Sequence, residues 1–118
     1  MGKIIIYQKP TCSTCRQVVK LTEASGTPYE AINYYETPFT KAKLKDLLRK
    51  GKITPAEILR TKEDIYKTLK TTIASMKDDE VIDLMIQHPD LMQRPLVEQG
   101  ETVILARPPE TMNALLGK

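Results

Sequence analysis

The stretch that most restricts this chain lies at its start. Ile4-Ile5-Ile6 is a β-branched run between polar residues, and it reads as a buried strand over residues 3–8. Pro10-Thr11 then turns the chain. Residues 12–25 carry helical spacing, with Cys12, Cys15, Val18 and Val19 on one face and Gly26 just past the end. Thr27-Pro28 leads into a second strand over 29–33. A strand, a helix and a strand in this order make a βαβ unit.

Beyond it, residues 40–90 are helical in pattern. Leu44, Leu47 and Leu48 form an apolar stripe, Ile58, Ile65 and Leu69 continue it in short pieces, and residues 78–87 turn Val81, Ile82, Met85 and Ile86 inward. Thr54-Pro55-Ala56-Glu57 places Pro at the first helical position after a Thr cap, with Glu completing a capping box. Two short strands, 96–98 and 102–105, flank a Gln99-Gly100-Glu101 hairpin, and residues 109–116 form a last helix. The predicted order is β-α-β, a helical insertion over about 40–90, then β-β-α, an α/β fold with a small mixed four-stranded sheet.

At 118 residues the chain is sized for a single domain, 1–118, and 41% apolar residues suffice for one core. Eighteen basic against fifteen acidic residues leave a net charge of only +3, which argues against direct nucleic-acid binding. The absence of Trp and the single Phe argue against base stacking. No apolar run is long enough to span a membrane, and the N-terminal apolar run breaks at Gln8-Lys9-Pro10, so neither membrane nor signal peptide is expected and the location is expected to be cytoplasmic. Charge is uneven. Residues 41–77 hold eleven basic and four acidic side chains, a net of +7, and residues 78–101 carry a net of −6. A solvated basic helix pair beside an acidic one is the plainer explanation; a surface for an anionic substrate or an acidic partner is the other.

Cys12 and Cys15 are the only cysteines, too few for a disulfide scaffold. A structural zinc needs four ligands, and His88 is the only histidine. A strand followed by Cys-x-x-Cys opening a helix is instead a thioredoxin-like redox arrangement. The helix N-terminus, with unpaired N–H groups and partial positive charge, stabilises a thiolate on Cys12. Cys15, one turn further in, can attack a bond formed at Cys12. Arginine is scarce beside lysine, five against thirteen. Arg16 directly follows the Cys pair, while Arg94 and Arg107 each precede a proline, which fixes where they leave the backbone. Arginine suits bidentate binding of oxyanions, which makes Arg16, Arg94 and Arg107 candidates, beside an ordinary surface role for each.

Several segments together resemble a known family. They are Lys9-Pro10-Thr11-Cys12-Ser13-Thr14-Cys15-Arg16, Asn33-Tyr34-Tyr35-Glu36-Thr37-Pro38 and Glu57-Ile58-Leu59-Arg60. Gln87-His88-Pro89, Gln93-Arg94-Pro95-Leu96-Val97 and Ala106-Arg107-Pro108 complete the set. In order and spacing they resemble the glutaredoxin-coupled arsenate reductases of the ArsC type, with the related Spx and YffB proteins. The resemblance implies a thioredoxin-like sheet with a helical insertion, Cys12 as nucleophile, and Arg60, Arg94 and Arg107 as the oxyanion-holding set. It implies arsenate or a similar oxyanion as substrate, no bound cofactor, glutathione as co-substrate, glutaredoxin or thioredoxin as recycling partner, and a monomer. It also implies a cis Arg94-Pro95 bond opposite Cys12.

Two positions depart from the family pattern. Its arsenate reductases carry His where this chain has Gln8, and usually a residue other than Cys at Cys15. The second cysteine opens a route through a Cys12–Cys15 disulfide. The alternative function is an Spx-type redox-sensing regulator that binds RNA polymerase. His88 is expected to cap a helix end, Tyr34 and Tyr35 to pack, and Met76, Met85 and Met92 to fill the core.

Overall fold

The isoleucine run becomes strand β1, Ile4–Gln8. Ile4 and Ile6 are fully buried, as strand alternation requires of one face. In the computed structural model, which describes residues 2–116, β1 is a central strand. It pairs in parallel with β2, Tyr29–Asn33, placing Ile4 opposite Tyr29 and Gln8 opposite Asn33. On its other side it pairs antiparallel with β3, Leu96–Gln99, placing Tyr7 opposite Leu96. Strand β4, Thr102–Leu105, continues antiparallel from β3, so the sheet is mixed and ordered β2-β1-β3-β4. Gly100 has φ of +61°, the left-handed region that a tight two-residue hairpin demands, and Gln99 pairs with Thr102 across it.

Helix α1, Ser13–Ser25, crosses from β1 to β2. It begins one residue later than its spacing predicts, because Cys12 keeps an extended backbone and serves as the N-cap. Gly26, at φ 76°, ends it in the left-handed conformation. Val18 of α1 packs with Ile4, Ile6 and Val97 of the sheet and with Ala106 and Met112. Each of the buried Val, Ile and Met side chains contributes about 1.5–3 kcal/mol of hydrophobic stabilisation. The terminal segment read as one helix over 109–116 divides into a 3-10 turn, Pro109–Met112, and a short α-helix, Asn113–Leu116. On the opposite sheet face, Tyr7 Oη donates to Glu98 Oε1 at 3.0 Å, and both residues are buried.

These strands and α1, from residues 2–37 and 94–116, form one compact unit; Pro38–Gln93 forms another. In the second, α2, Lys41–Gly51, is capped by Thr40, whose hydroxyl accepts the Lys43 N–H at 3.1 Å. Leu44, Leu47 and Leu48 are buried as their spacing predicts. The capping box at Thr54 and Glu57 forms, on a 3-10 turn, Pro55–Ile58. Helix α3, Asp64–Ala74, buries only Ile73, so Ile65 and Leu69 extend the stripe less deeply than expected. Helix α4, Asp78–Gln87, buries Val81, Ile82 and Met85, and the His88 N–H closes it on the Leu84 carbonyl at 2.9 Å. A backbone seam joins the middle of this unit to its C-terminal end: the Arg60 N–H donates to Leu91 O and the Gln93 N–H to Ile58 O, each at 2.7 Å. Met85 and Met92 are core residues.

Part of the uneven charge pairs up here. Lys41 pairs with Asp83 at 3.0 Å and Lys45 with Asp79 at 3.3 Å, so the basic face of α2 meets the acidic face of α4. No helix of the described residues is long and apolar enough to cross a membrane.

Candidate active site

The turn after β1 sets Cys12. Its N–H donates to Lys9 O at 3.0 Å, and its carbonyl accepts the first α1 hydrogen bond, from the Arg16 N–H, at 3.0 Å. The thiol therefore stands at the N-terminus of a 13-residue helix, where unpaired N–H groups favour negative charge. Burial pushes the Cys12 thiol up. The Cys15 N–H, the Cys15 thiol and the Arg94 guanidinium outweigh it and bring its pKa down from 9.0 to about 7. Cys15, with no exposed surface, behaves in the opposite way. Burial pushes its thiol up to about 12; a hydrogen bond from the Lys9 backbone opposes this, and the neighbouring Cys12 sulfur reinforces it. The geometry thus offers an ionisable, half-buried thiol beside a protonated, sequestered one, and both are free thiols.

Arg94 reaches this pair from the segment before β3. The Arg94-Pro95 bond is cis, as expected, and Arg107-Pro108 is cis as well. Arg94 is 7% exposed. One of its terminal nitrogens, Nη1, donates to Tyr35 Oη at 3.2 Å, and the guanidinium also hydrogen-bonds to Cys12 and Tyr34. Its Nε is buried with no hydrogen-bond partner. A buried donor left unmade costs about 1–3 kcal/mol, so this edge is suited to an incoming acceptor. Arg107 belongs to the same group: its Nη1 donates to the Arg94 carbonyl at 3.1 Å.

The other two arginines stand on other segments of the chain. Arg16 is exposed on α1 and borders a shallow depression with Gln8, Pro10, Val19, Lys20 and Glu23. Arg60 belongs to the helical unit, where its Nη2 lies 3.4 Å from Glu63 Oε2 and its Nε is buried without a partner. Gln8 ends β1, and its carbonyl accepts the Tyr34 N–H at 3.3 Å. Among the described residues no cluster of three His, Cys, Asp or Glu could hold a metal ion.

Sequence reasoning treated Tyr34 and Tyr35 as packing residues, and the structure gives both a second task beside Arg94. The signal was available. They follow β2 directly, and β2 runs parallel to β1, so its carboxyl end comes beside the turn that carries Cys12. Ligand sites in sheets with parallel strands gather at carboxyl ends.

Comparison with known proteins identifies the family of the chain. The ArsC family model matches residues 7–115. The chain is 35% identical over 116 residues to YfgD of Escherichia coli K12, an uncharacterised protein, covering 98% of each. It is also 35% identical over 116 residues to an arsenate reductase of the same organism, covering 98% of this chain and 82% of that protein. The solved structure of an arsenate reductase from Vibrio cholerae matches with a TM-score of 0.85 at 32% identity, covering 93% of this chain and 94% of that one. With the family model spanning most of its length and a thioredoxin-like fold in common with its structural neighbours, this chain belongs to the ArsC family.

Proposed function

We propose that the protein is a thiol-dependent arsenate reductase. The observation that carries this reading is the buried, unpartnered Nε of Arg94 on a guanidinium that also holds the Cys12 thiol. A thiolate nucleophile and a vacant oxyanion donor then belong to one side-chain cluster. Arsenate is an anion, and a thiolate must approach it against repulsion of roughly 4 kcal/mol per charge pair at about 4 Å and an effective dielectric of about 20. Arg94, Arg107 and the N–H groups of α1 offset that repulsion. The family resemblance assigns Arg60 a share in holding the same substrate.

In the first step the Cys12 thiolate attacks arsenic and an arsenate oxygen leaves as water, giving a sulfur–arsenic(V) bond. A second thiol then attacks the Cys12 sulfur. A disulfide forms, the sulfur–arsenic bond breaks, and its electron pair reduces arsenic to the trivalent state. Glutathione can supply that thiol, with glutaredoxin or thioredoxin returning Cys12 to the reduced form. Cys15 is the competing internal donor. Once Cys12 is covalently occupied, the thiolate charge that helps keep Cys15 protonated is gone.

The deciding assay is arsenate-dependent NADPH oxidation, coupled first to glutathione and glutaredoxin and then to thioredoxin. The parent is expected to turn over in at least one coupling and Cys12→Ser in neither. No arsenate dependence in either coupling would sink the reading and favour the redox-sensing regulator. The pairing of Lys41 and Lys45 with α4 carboxylates already occupies part of the basic segment that a polymerase-docking role would use.

A further inference from the structure

We propose that Tyr35, backed by Tyr34, is a positioning residue that aims the Arg94 guanidinium, so that one part meets Cys12 while the Nε edge is left for the substrate oxyanion. The inference deepens the arsenate reductase reading and rests on it for the identity of the oxyanion.

A guanidinium is a planar fork, and fixing one nitrogen fixes the directions of the others. Here the fixed nitrogen is Nη1, held by Tyr35 Oη at 3.2 Å. Tyr35 is in turn held from several sides. Its ring lies 5.1 Å from that of Tyr34, tilted by 37°, an attractive aromatic geometry. Lys9 Nζ lies 4.8 Å from the Tyr35 ring centroid, within cation–π range, on the turn that carries Cys12. Tyr34 is 2% exposed and also hydrogen-bonds to Arg94.

The backbone beneath them is built as firmly. Asn33 Oδ1 accepts the Tyr35 N–H at 3.0 Å, and the Asn33 carbonyl accepts the N–H groups of Glu36 at 3.1 Å and Thr37 at 2.9 Å. Asn33 Nδ2 donates to Glu36 Oε1 at 2.8 Å, and the Tyr34 N–H is tied to the last residue of β1. Hydrogen bonds anchor this turn both internally and to the strand that leads to Cys12. Arg94 contributes only its own side chain; the orientation comes from the Asn33–Thr37 turn.

The test measures Cys12 before it measures turnover. Cys12 alkylation by iodoacetamide is followed by mass spectrometry across pH in the parent, Tyr35→Phe, Tyr34→Phe and Arg94→Ala. Arsenate is then added as a protecting ligand. Tyr35→Phe keeps the ring and removes only the hydroxyl. It is expected to raise the alkylation midpoint in the same direction as Arg94→Ala, and to weaken arsenate protection about tenfold, the loss of one hydrogen bond to a charged group. Tyr34→Phe is expected to give a smaller shift of the same sign. A Tyr35→Phe midpoint equal to the parent's, with Arg94→Ala shifted, overturns the proposal. The midpoint requires no arsenate. If the parent shows no arsenate protection while the midpoint still moves, the substrate reading fails and the positioning role stands.

Discussion

At pH 7 a thiol whose pKa is about 7 is half ionised, whereas one left at its ordinary value is ionised to only a few parts in a hundred. That difference fixes the order of events at Cys12 and Cys15. Iodoacetamide at pH 7–8 is expected to modify Cys12 alone, its rate rising with pH through a midpoint near 7. Cys15, held protonated up to about 12, is expected to stay unmodified until the fold opens. Peptide mapping after a short pulse checks this, and a doubly alkylated native protein would contradict it. A related outcome concerns turnover. If Cys15 resolves the adduct, Cys15→Ser should accumulate a glutathione adduct on Cys12 and cycle more slowly, as read by intact mass after one turnover. Equal cycling with only a glutathione adduct removes Cys15 from the cycle. Much of this was legible in the residues, since a Cys-x-x-Cys at a helix start needs no structure to suggest an activated thiol. The tyrosines were not legible as Arg94 partners, because that contact joins residues far apart in the chain and depends on strand order.

Among the elements, patterns carried by strong local rules came through and weaker ones shifted. The Thr54 capping box is present as its spacing predicts: the Thr54 hydroxyl accepts the Glu57 N–H at 3.3 Å, and Glu57 Oε1 accepts the Thr54 N–H at 3.1 Å. Thr54→Ala is expected to cost about 1 kcal/mol in urea unfolding. Lys45→Ala, which removes an exposed pair with Asp79, is expected to change stability by less than about 0.5 kcal/mol. A larger loss from Lys45→Ala than from Thr54→Ala would reverse that ranking. The start of α1 moved by one residue because an N-cap shares the helical side-chain pattern without the helical backbone. The last helix divided because local apolar spacing does not distinguish a short 3-10 turn from the first turn of an α-helix. Glu98 was read simply as a strand residue; its burial against Tyr7 follows from antiparallel pairing between β1 and β3, which no local pattern reports.

In the whole chain the strand order brings the chemistry together. Cys12 follows β1 and Arg94 precedes β3, and antiparallel pairing of these neighbours sets Tyr7 opposite Leu96, bringing the end of one strand to the start of the other. Because side chains alternate along a strand, a one-residue slip would exchange the faces of β3. Register is held by apolar pairs such as Ile6 opposite Val97, both fully buried and packed with Val18 of α1. This separates the stability of the sheet from the chemistry of the thiol. Ile6→Ala is expected to destabilise the protein by about 2–5 kcal/mol, the cost of lost burial and a partly unrelaxed cavity. Val97→Ala is expected to be milder because it removes fewer carbons, and the double variant to depart from the sum because the two side chains face each other across the pair. All three should keep the parent's Cys12 alkylation midpoint at temperatures where they remain folded, since the changes retain the backbone pairing and leave Arg94, Tyr35 and Cys15 in place. Urea unfolding followed by circular dichroism supplies the stabilities, and pulse alkylation of the same samples supplies the midpoint. A midpoint that climbs in folded Val97→Ala would mean that the fit of the core, rather than strand register and the Asn33–Thr37 turn, sets the acidity of Cys12.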